Sequence, residues 1–357
     1  MDGPQNALEA MLAAPAAAVK LRAPARLHLG FLDPAGSLGR RFGSLGLMLN
    51  GFDTEVELTA SPTMQVTASS AVQRAEIERA GAYLHSLQRH SGRREPLHLR
   101  LLRVAPAHAG FGSGTQLALA IARAFAQWHA LDVSTPTLAQ WLSRGLRSGI
   151  GIAGFDHGGL LVDGGPLADG APAPLLARVA LPGAWRVLVV QDESRKGLSG
   201  TAERDGLAAL APLPQALAAD ICHQVLMRVL PGAAGAEFAP FAAGITRIQR
   251  VLGEHFAPAQ GGSAYTSAAV GHLIEWIGTQ GGARDDATPH AQPAAALGQS
   301  SWGPTGFAIL PSQARAEAIV DAARAAGVIA PALSLRIVSG RNSGAVVLDQ
   351  RAALRAR

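Results

Sequence analysis

Cysteine is all but absent: Cys222 stands alone in 357 residues. It can form neither an intramolecular disulfide nor a cysteine-based zinc site. Its apolar neighbours in ICHQVLMRVL predict a buried, inert thiol. Lysine is nearly as scarce, at Lys20 and Lys196 only, so almost every cation is an arginine. Biased coding composition accounts for much of that scarcity, but arginine forks also suit paired phosphate or carboxylate oxygens. Charged residues make up only 16% against 48% hydrophobic, which excludes a largely disordered chain. The net charge is +5, yet no basic run occurs and aromatics reach only 5%, so no nucleic-acid partner is expected. No uninterrupted apolar run is long enough to span a membrane. Residues 1–18 are alanine-rich but contain Asp2 and Glu9 instead of a basic n-region. Neither a membrane protein nor a secretory signal is indicated, and a cytoplasmic location is expected.

What the chain has in abundance is glycine, 41 residues, gathered into loops. The central stretch is Val104 to Leu131, VAPAHAGFGSGTQLALAIARAFAQWHAL. A short apolar run ends at Pro106, a turn containing Gly110, Gly112 and Gly114 follows, and an alanine-rich helix begins near Thr115. Ser113 and Thr115 are the N-cap candidates. The N–H groups and dipole at such a helix start can hold a phosphate or carboxylate. No Lys-Ser/Thr pair follows the last glycine, so this is not a P-loop; nor does GFGSG carry the third glycine of a dinucleotide fingerprint. A capped turn under a core helix accounts for the same residues.

The remaining pattern divides the chain into a leader (1–18), an N-terminal domain (19–170) and a C-terminal domain (171–357). The boundary is set in the Pro/Ala/Gly-rich stretch from Pro166 to Pro174. Strands are expected at KLRAPARLHLGFLD, SLGLMLN, TEVELTA, Leu97–Val104, HGGLLVDGG, WRVLVVQD, FAIL, LRIVSG and GAVVLD. Helices are expected near 72–91, 137–146, 214–230, 238–255, 268–278 and 312–326. Strands and helices alternate without a regular βαβ period, which points to an α+β protein of two sub-domains.

The stretch PAHAGFGSGTQLALA resembles the second motif of the GHMP kinase superfamily. RLHLGFLDPAGSLGR, RSGIGIAGFDHGGLLVDGG, KGLSG, GQSSWGPTGFA and RIVSGRNSGA narrow it, because in this order they resemble the beta-ribofuranosylaminobenzene 5'-phosphate synthase family. The resemblance runs from about Pro24 to about Val347. It implies a two-domain GHMP-kinase-like α+β fold with the active site between the domains. It also implies a phosphoribosyltransferase that joins phosphoribosyl pyrophosphate to 4-aminobenzoate or 4-hydroxybenzoate. Carbon dioxide and pyrophosphate leave, and the C-riboside 5'-phosphate serves tetrahydromethanopterin biosynthesis. Mg²⁺ is the cofactor it implies, with ligands unassigned, and it leaves room for a homodimer. The rival is an ATP-dependent GHMP-type small-molecule kinase.

On that resemblance, Gly110, Gly112, Ser113, Gly114 and Thr115 are the pyrophosphate or 5'-phosphate cradle. Arg26, Arg40, Arg41 and Arg147 are anion clamps, each of which a solvated surface arginine would also explain. Asp156 lies where the kinases place an active-site acid. It could hold Mg²⁺, stabilise the ribosyl cation, orient the nucleophile, or only close a turn. His28, His108 and His157 fall in matched segments, as a general acid or phosphate donor in preference to a metal triad. Ser300, Ser301 and Thr305 would contact substrate oxygens or, equally, satisfy the backbone of their own loop. Trp302, with Pro304, would leave little room for a nucleotide and offer its ring to a flat benzoate, or else anchor its own loop.

Overall fold

The computed structural model describes residues 17–167, 171, 173–197, 205–206, 208–280 and 294–351. Most of the leader, part of the boundary stretch, the end of KGLSG and residues 281–293 therefore lie outside the described residues. In chain order the elements are β1 (Ala18–Asp33), β2 (Phe42–Ala60), β3 (Gln65–Ala68), α1 (Arg74–Ser91), β4 (Leu97–Arg103) and α2 (Ser113–Trp128). Then come α3 (Thr135–Trp141), α4 (Ile150–His157), β5 (Leu160–Asp163), β6 (Leu175–Val179), β7 (Arg186–Asp192) and α5 (Gln215–Gln224). A π-helical turn, Val225–Val229, leads into α6 (Leu230–Ala234), α7 (Phe238–Phe256) and α8 (Ala268–Thr279). The chain finishes with β8 (Ala296–Gln299), β9 (Thr305–Leu310), α9 (Gln313–Ala325), β10 (Leu333–Ser339) and β11 (Val346–Asp349).

The strands form a seven-stranded sheet, in which β11, β1, β2, β4 and β3 are successive neighbours and β5 and β6 extend from β2, and a four-stranded sheet ordered β10-β7-β9-β8. Pairing is antiparallel except between β3 and β4. The expected division at 170/171 does not coincide with the sheets. β6 pairs with β5, and the last strand, β11, returns to pair with β1. The first sheet thus closes only when both ends of the chain meet.

The β1–β2 register jumps between Ala23 and Ala25. Val19, Leu21 and Ala23 pack into a cluster with α1 and α2, whereas Ala25, Leu27 and Leu29 enter a core shared with α5, α7 and the second sheet. The far side of the second sheet is covered by α8 and α9. That central core joins the two halves through Leu27, Leu45, Ile245 and Phe307.

α2 is apolar almost all round because it is covered almost all round. Leu117, Leu119, Ile121 and Phe125 are fully buried, each worth roughly 2 kcal/mol against exposure. The alanines between them leave no bulk to hold the helix off the sheet, so a charge at Ala120 would unseat it. Where one helix is expected over 214–230, the chain instead widens into a π turn just before Pro231. Proline lacks the N–H and crowds the carbonyl four residues back, and the wider turn relieves that conflict. Among the described residues, no helix is long and apolar enough to cross a membrane.

Candidate active site

The turn before α2 is held from three sides. Phe111 is fully buried and stacked on Phe52, with ring centroids 4.4 Å apart. Its carbonyl accepts from the Arg26 N–H of β1 at 3.0 Å. The Ser300 hydroxyl donates to the Gly110 carbonyl at 2.7 Å and accepts from the His28 N–H at 2.9 Å. Gly197 N–H donates to the His108 carbonyl at 2.9 Å. The glycines are explained by these approaches. A Cβ on Gly110 would lie 2.5 Å from the Ser300 carbonyl oxygen, and one on Gly303 would lie 2.5 Å from the Gly110 nitrogen. The third glycine-rich loop is therefore packed against the back of the turn. Ser300 acts there as a clasp between β1 and the turn.

Gly112, at φ +64°, is the N-cap of α2, and no side chain caps the first turn. Ser113 and Thr115 were the expected caps; they lie inside the helix instead, because the left-handed backbone at the cap position selects glycine. The helix start is surrounded by guanidinium groups. The Arg26 side chain runs past Gly112, whose Cβ would be 3.0 Å from its Cγ and 3.1 Å from its Nε. Arg79 of α1 and Arg144 after α3 reach toward Gly114, where a Cβ would be 3.7 and 3.9 Å from their Nη1 atoms. Arg79 is paired with Glu76 at 3.1 Å, while Arg144 donates to the Tyr83 hydroxyl and lies over its ring. Burial, then the adjacent Arg79, lowers the pKa of Arg144, and Glu76 pulls the other way. Arg79 and Arg144 escaped the sequence reading because one looks like an ordinary exposed-helix cation and the other lies outside the matched motifs. Only the fold brings them to α2.

His28 lies beside this corner, 3% exposed. Its Nε2 has no hydrogen-bond partner among the described residues, and it lines a cavity of about 30 Å³ with Gln260, Gln299, Ser301 and Trp302. Burial pushes its pKa well below the usual histidine range, and the charges of Arg26 and Arg147 add to that. A neutral imidazole between two arginines is the result. Trp302 is 4% exposed, set edge-on to Phe256 at 5.4 Å and part of the central core. It is a wedge that locks its loop, with little ring face left for a benzoate. Thr305 is fully buried in β9, its hydroxyl without a partner among the described residues.

Asp156 and His157 are not brought to the turn. α4 begins beside it, with Gly151 against Thr115, but both residues stand at its far, exposed end. Asp156 accepts from the Thr135 hydroxyl at 2.7 Å, which in turn accepts from Arg123. Arg123 lies about 16 Å along α2 from Gly112 at helical rise. The His157 carbonyl accepts from Arg178 on the same outer side. α4 runs on through GIAGFDH, so these two residues fall on its last turn, away from the start of α2. Arg40 is exposed and donates to the Gly164 carbonyl at 3.5 Å. Asp163, not singled out by sequence, is fully buried and accepts from the N–H groups of Gly149 (2.7 Å), Ile150 (3.1 Å) and Gly165 (2.9 Å) and from the Ser148 hydroxyl (3.1 Å). Burial raises its pKa, and these donors pull the other way. Among the described residues, no group of three or more His, Cys, Asp or Glu stands where it could hold a metal ion.

Residues 78–159, from within α1 to the end of the α4 turn, match the family model for the GHMP kinases N terminal domain. A beta-ribofuranosylphenol 5'-phosphate synthase from Archaeoglobus fulgidus is 34% identical over 245 residues, covering 65% of this chain and 76% of that protein. Its namesake from Methanothermobacter thermautotrophicus is 31% identical over 245 residues, covering 64% and 74%. In fold, the chain is similar to homoserine kinase from Cytophaga hutchinsonii, with a TM-score of 0.60 across 93% of this chain and 97% of the kinase, at 15% identity. Taken with the uncapped helix and its arginines, these likenesses decide the matter: the chain belongs to the beta-ribofuranosylphenol 5'-phosphate synthase family, on the two-lobed α+β fold of the GHMP kinases.

Proposed function

We propose that this chain is a decarboxylating phosphoribosyltransferase that joins phosphoribosyl pyrophosphate to a 4-substituted benzoate, releasing carbon dioxide and pyrophosphate. The observation that carries the reading is the start of α2, a helix N-terminus with no side-chain cap and with Arg26, Arg79 and Arg144 around it. A donor with a 5'-phosphate and a pyrophosphate brings the oxygens that a helix start and guanidinium groups bind well. The relatives' name speaks for a phenolic product, hence for 4-hydroxybenzoate over 4-aminobenzoate.

The chemistry follows from charge. As the anomeric C–O bond breaks, its electron pair leaves with pyrophosphate, and the guanidinium groups and helix N–H groups stabilise that developing charge. The ring carbon bearing the carboxylate attacks the anomeric carbon, and the para oxygen shares the resulting positive charge. The bond to the carboxylate then breaks, its electrons restore the aromatic ring, and carbon dioxide departs. His28, kept neutral, adds no further cation beside Arg26 and Arg147. Mg²⁺ remains part of the proposal as a companion of the donor's pyrophosphate. Such an ion would be held largely by substrate phosphates and water.

The test is a carboxyl-labelled 4-hydroxybenzoate. Label should leave as carbon dioxide only when phosphoribosyl pyrophosphate is present, one for each pyrophosphate released. Release without the donor, or pyrophosphate formation with the label retained, would overturn the reading. So would phosphate transfer from ATP to a small alcohol in place of this reaction.

A further inference from the structure

One hydroxyl from the C-terminal half of the chain holds the backbone that leads into α2. Arg26 and His28 stand two apart on β1, so their N–H groups leave the strand on the same side. The Arg26 N–H donates straight to the Phe111 carbonyl at 3.0 Å. The His28 N–H donates instead to the Ser300 hydroxyl at 2.9 Å, which donates in its turn to the Gly110 carbonyl at 2.7 Å. Ser300 is thus the second rung of a short ladder between β1 and the turn, contributed 272 residues along the chain from His28.

The two carbonyls belong to the two peptide planes directly ahead of Gly112, the N-cap. In a planar trans peptide the N–H points opposite to the carbonyl. With the Gly110 carbonyl on Ser300 and the Phe111 carbonyl on β1, the N–H groups of Phe111 and Gly112 are turned away from both. Sterics alone do not fix these planes, because Gly110 at φ +93° and Gly112 at φ +64° lie where glycine moves freely. A glycine on each side of Phe111 needs an outside hold, and Ser300 supplies half of it. The loop that carries Ser300 is itself seated. Trp302 stands edge-on to Phe256 in the central core, and a Cβ on Gly303 would lie 2.5 Å from the Gly110 nitrogen. Fully buried, and with its hydroxyl both donating and accepting, Ser300 is a support and not a substrate contact.

We propose that Ser300 is a positioning residue for the phosphoribosyl pyrophosphate donor, holding the Gly110–Phe111 peptide in the orientation from which α2 presents its first N–H groups. The proposal rests on the reading of the preceding section and adds what makes the donor site depend on the third glycine-rich loop. Donor affinity is then set from both halves of the molecule, by β1 through Arg26 and by the loop through Ser300.

The experiment compares the wild type, Ser300→Ala, Ser300→Cys and Thr135→Ala. It uses calorimetric titration of phosphoribosyl pyrophosphate, thermal unfolding, and carbon dioxide release from labelled 4-hydroxybenzoate. Thr135 is the matched control: it is buried beside Arg123 of α2, and its hydroxyl likewise donates (to Asp156, 2.7 Å) and accepts (from Arg123, 2.7 Å). Each alanine change should lower the melting temperature by roughly a few degrees. Ser300→Ala should raise the donor Kd about tenfold while kcat at saturating donor stays within about threefold. Thr135→Ala should leave the donor Kd within about twofold. Ser300→Cys fills the same space with a weaker hydrogen-bonding group, so it should raise Kd about fivefold, and it carries the test if the alanine variant does not fold. A donor Kd within about twofold of the wild type in a folded Ser300 variant overturns the proposal. So does an equal loss of affinity in Thr135→Ala, which marks general loosening. A wild type that binds the donor without releasing carbon dioxide, with the expected order of Kd values, upholds the positioning role and defeats the reaction assignment. A wild type that binds no donor overturns both.

Discussion

Two glycine-rich turns open helices over the same sheet, and they are finished in opposite ways. At α4 the chain supplies its own anion. Asp163 reaches across from β5 and takes the N–H groups of Gly149 and Ile150, with Ser148 and Gly165 completing its shell. At α2, among the described residues, no side chain caps the helix start, and Arg26, Arg79 and Arg144 stand around it. Glycine content alone does not separate the two. What separates them is what stands at the helix start: a carboxylate of the chain itself at α4, and a gathering of guanidinium groups at α2, where we propose that the donor binds.

The largest effect should come from breaking the finished turn. Asp163→Ala leaves three buried N–H groups without an acceptor and should cost roughly 3–5 kcal/mol. Thermal unfolding should show a fall on the order of 10 °C, while donor affinity in the protein that remains folded stays near the wild-type value. A melting temperature within a degree or two of the wild type would put the two turns in the same class.

The open turn should respond in the other currency. Gly112→Val forces a β-branched residue to φ +64° and places its Cβ against Arg26. We expect roughly 2 kcal/mol of destabilisation and a donor Kd raised at least about tenfold. Gly149→Ala is the matched control. Its φ is −85°, but its Cβ would lie 2.7 Å from the Ala173 carbonyl oxygen, so stability should fall with donor binding spared.

Acid should sharpen the contrast further. The folded-state pKa of His28 is depressed, so the unfolded chain takes up its proton first as pH falls through about 6.5. Stability should therefore be complete above that pH and decline below it, by up to about 1.4 kcal/mol per pH unit for this group. Denaturant melts of wild type and His28→Gln between neutral pH and pH 5 measure the difference. Parallel profiles would show that His28 is not held neutral.

The smallest effect is expected at Asp156. It is exposed and bonded to Thr135, away from the turn, so Asp156→Asn should change kcat by no more than about threefold, in line with the roughly 0.5 kcal/mol of an ordinary surface substitution. A loss of orders of magnitude would return this residue to the reaction and require α4 to move.

Much of the architecture was legible in the chain because periodicity and glycine placement are local. β1, α2, α7, α8 and α9 stand close to where alternation and helical spacing put them. The closing of the first sheet by β11 was not legible, since GAVVLD carries no mark of its partner. Nor was the π turn before Pro231, where proline was the available signal. For the site, the motif around Gly110–Thr115 located the turn, but side-chain direction decided the rest. Trp302 turned into the core, α4 carried Asp156 away, and Arg79 and Arg144 converged from segments that share no motif. Residues assembled across the fold leave no spacing to read.

The most direct test is calorimetric titration of phosphoribosyl pyrophosphate into the wild type and the Arg79→Gln/Arg144→Gln double variant, with thermal unfolding measured alongside. If the start of α2 is the donor's anion site, removing two of its three surrounding guanidinium groups should raise Kd about 100-fold, close to 2.7 kcal/mol. The melting temperature should fall by no more than a few degrees, roughly 1–2 kcal/mol. A donor Kd within twofold of the wild type, in a double variant that is folded, would contradict the assignment.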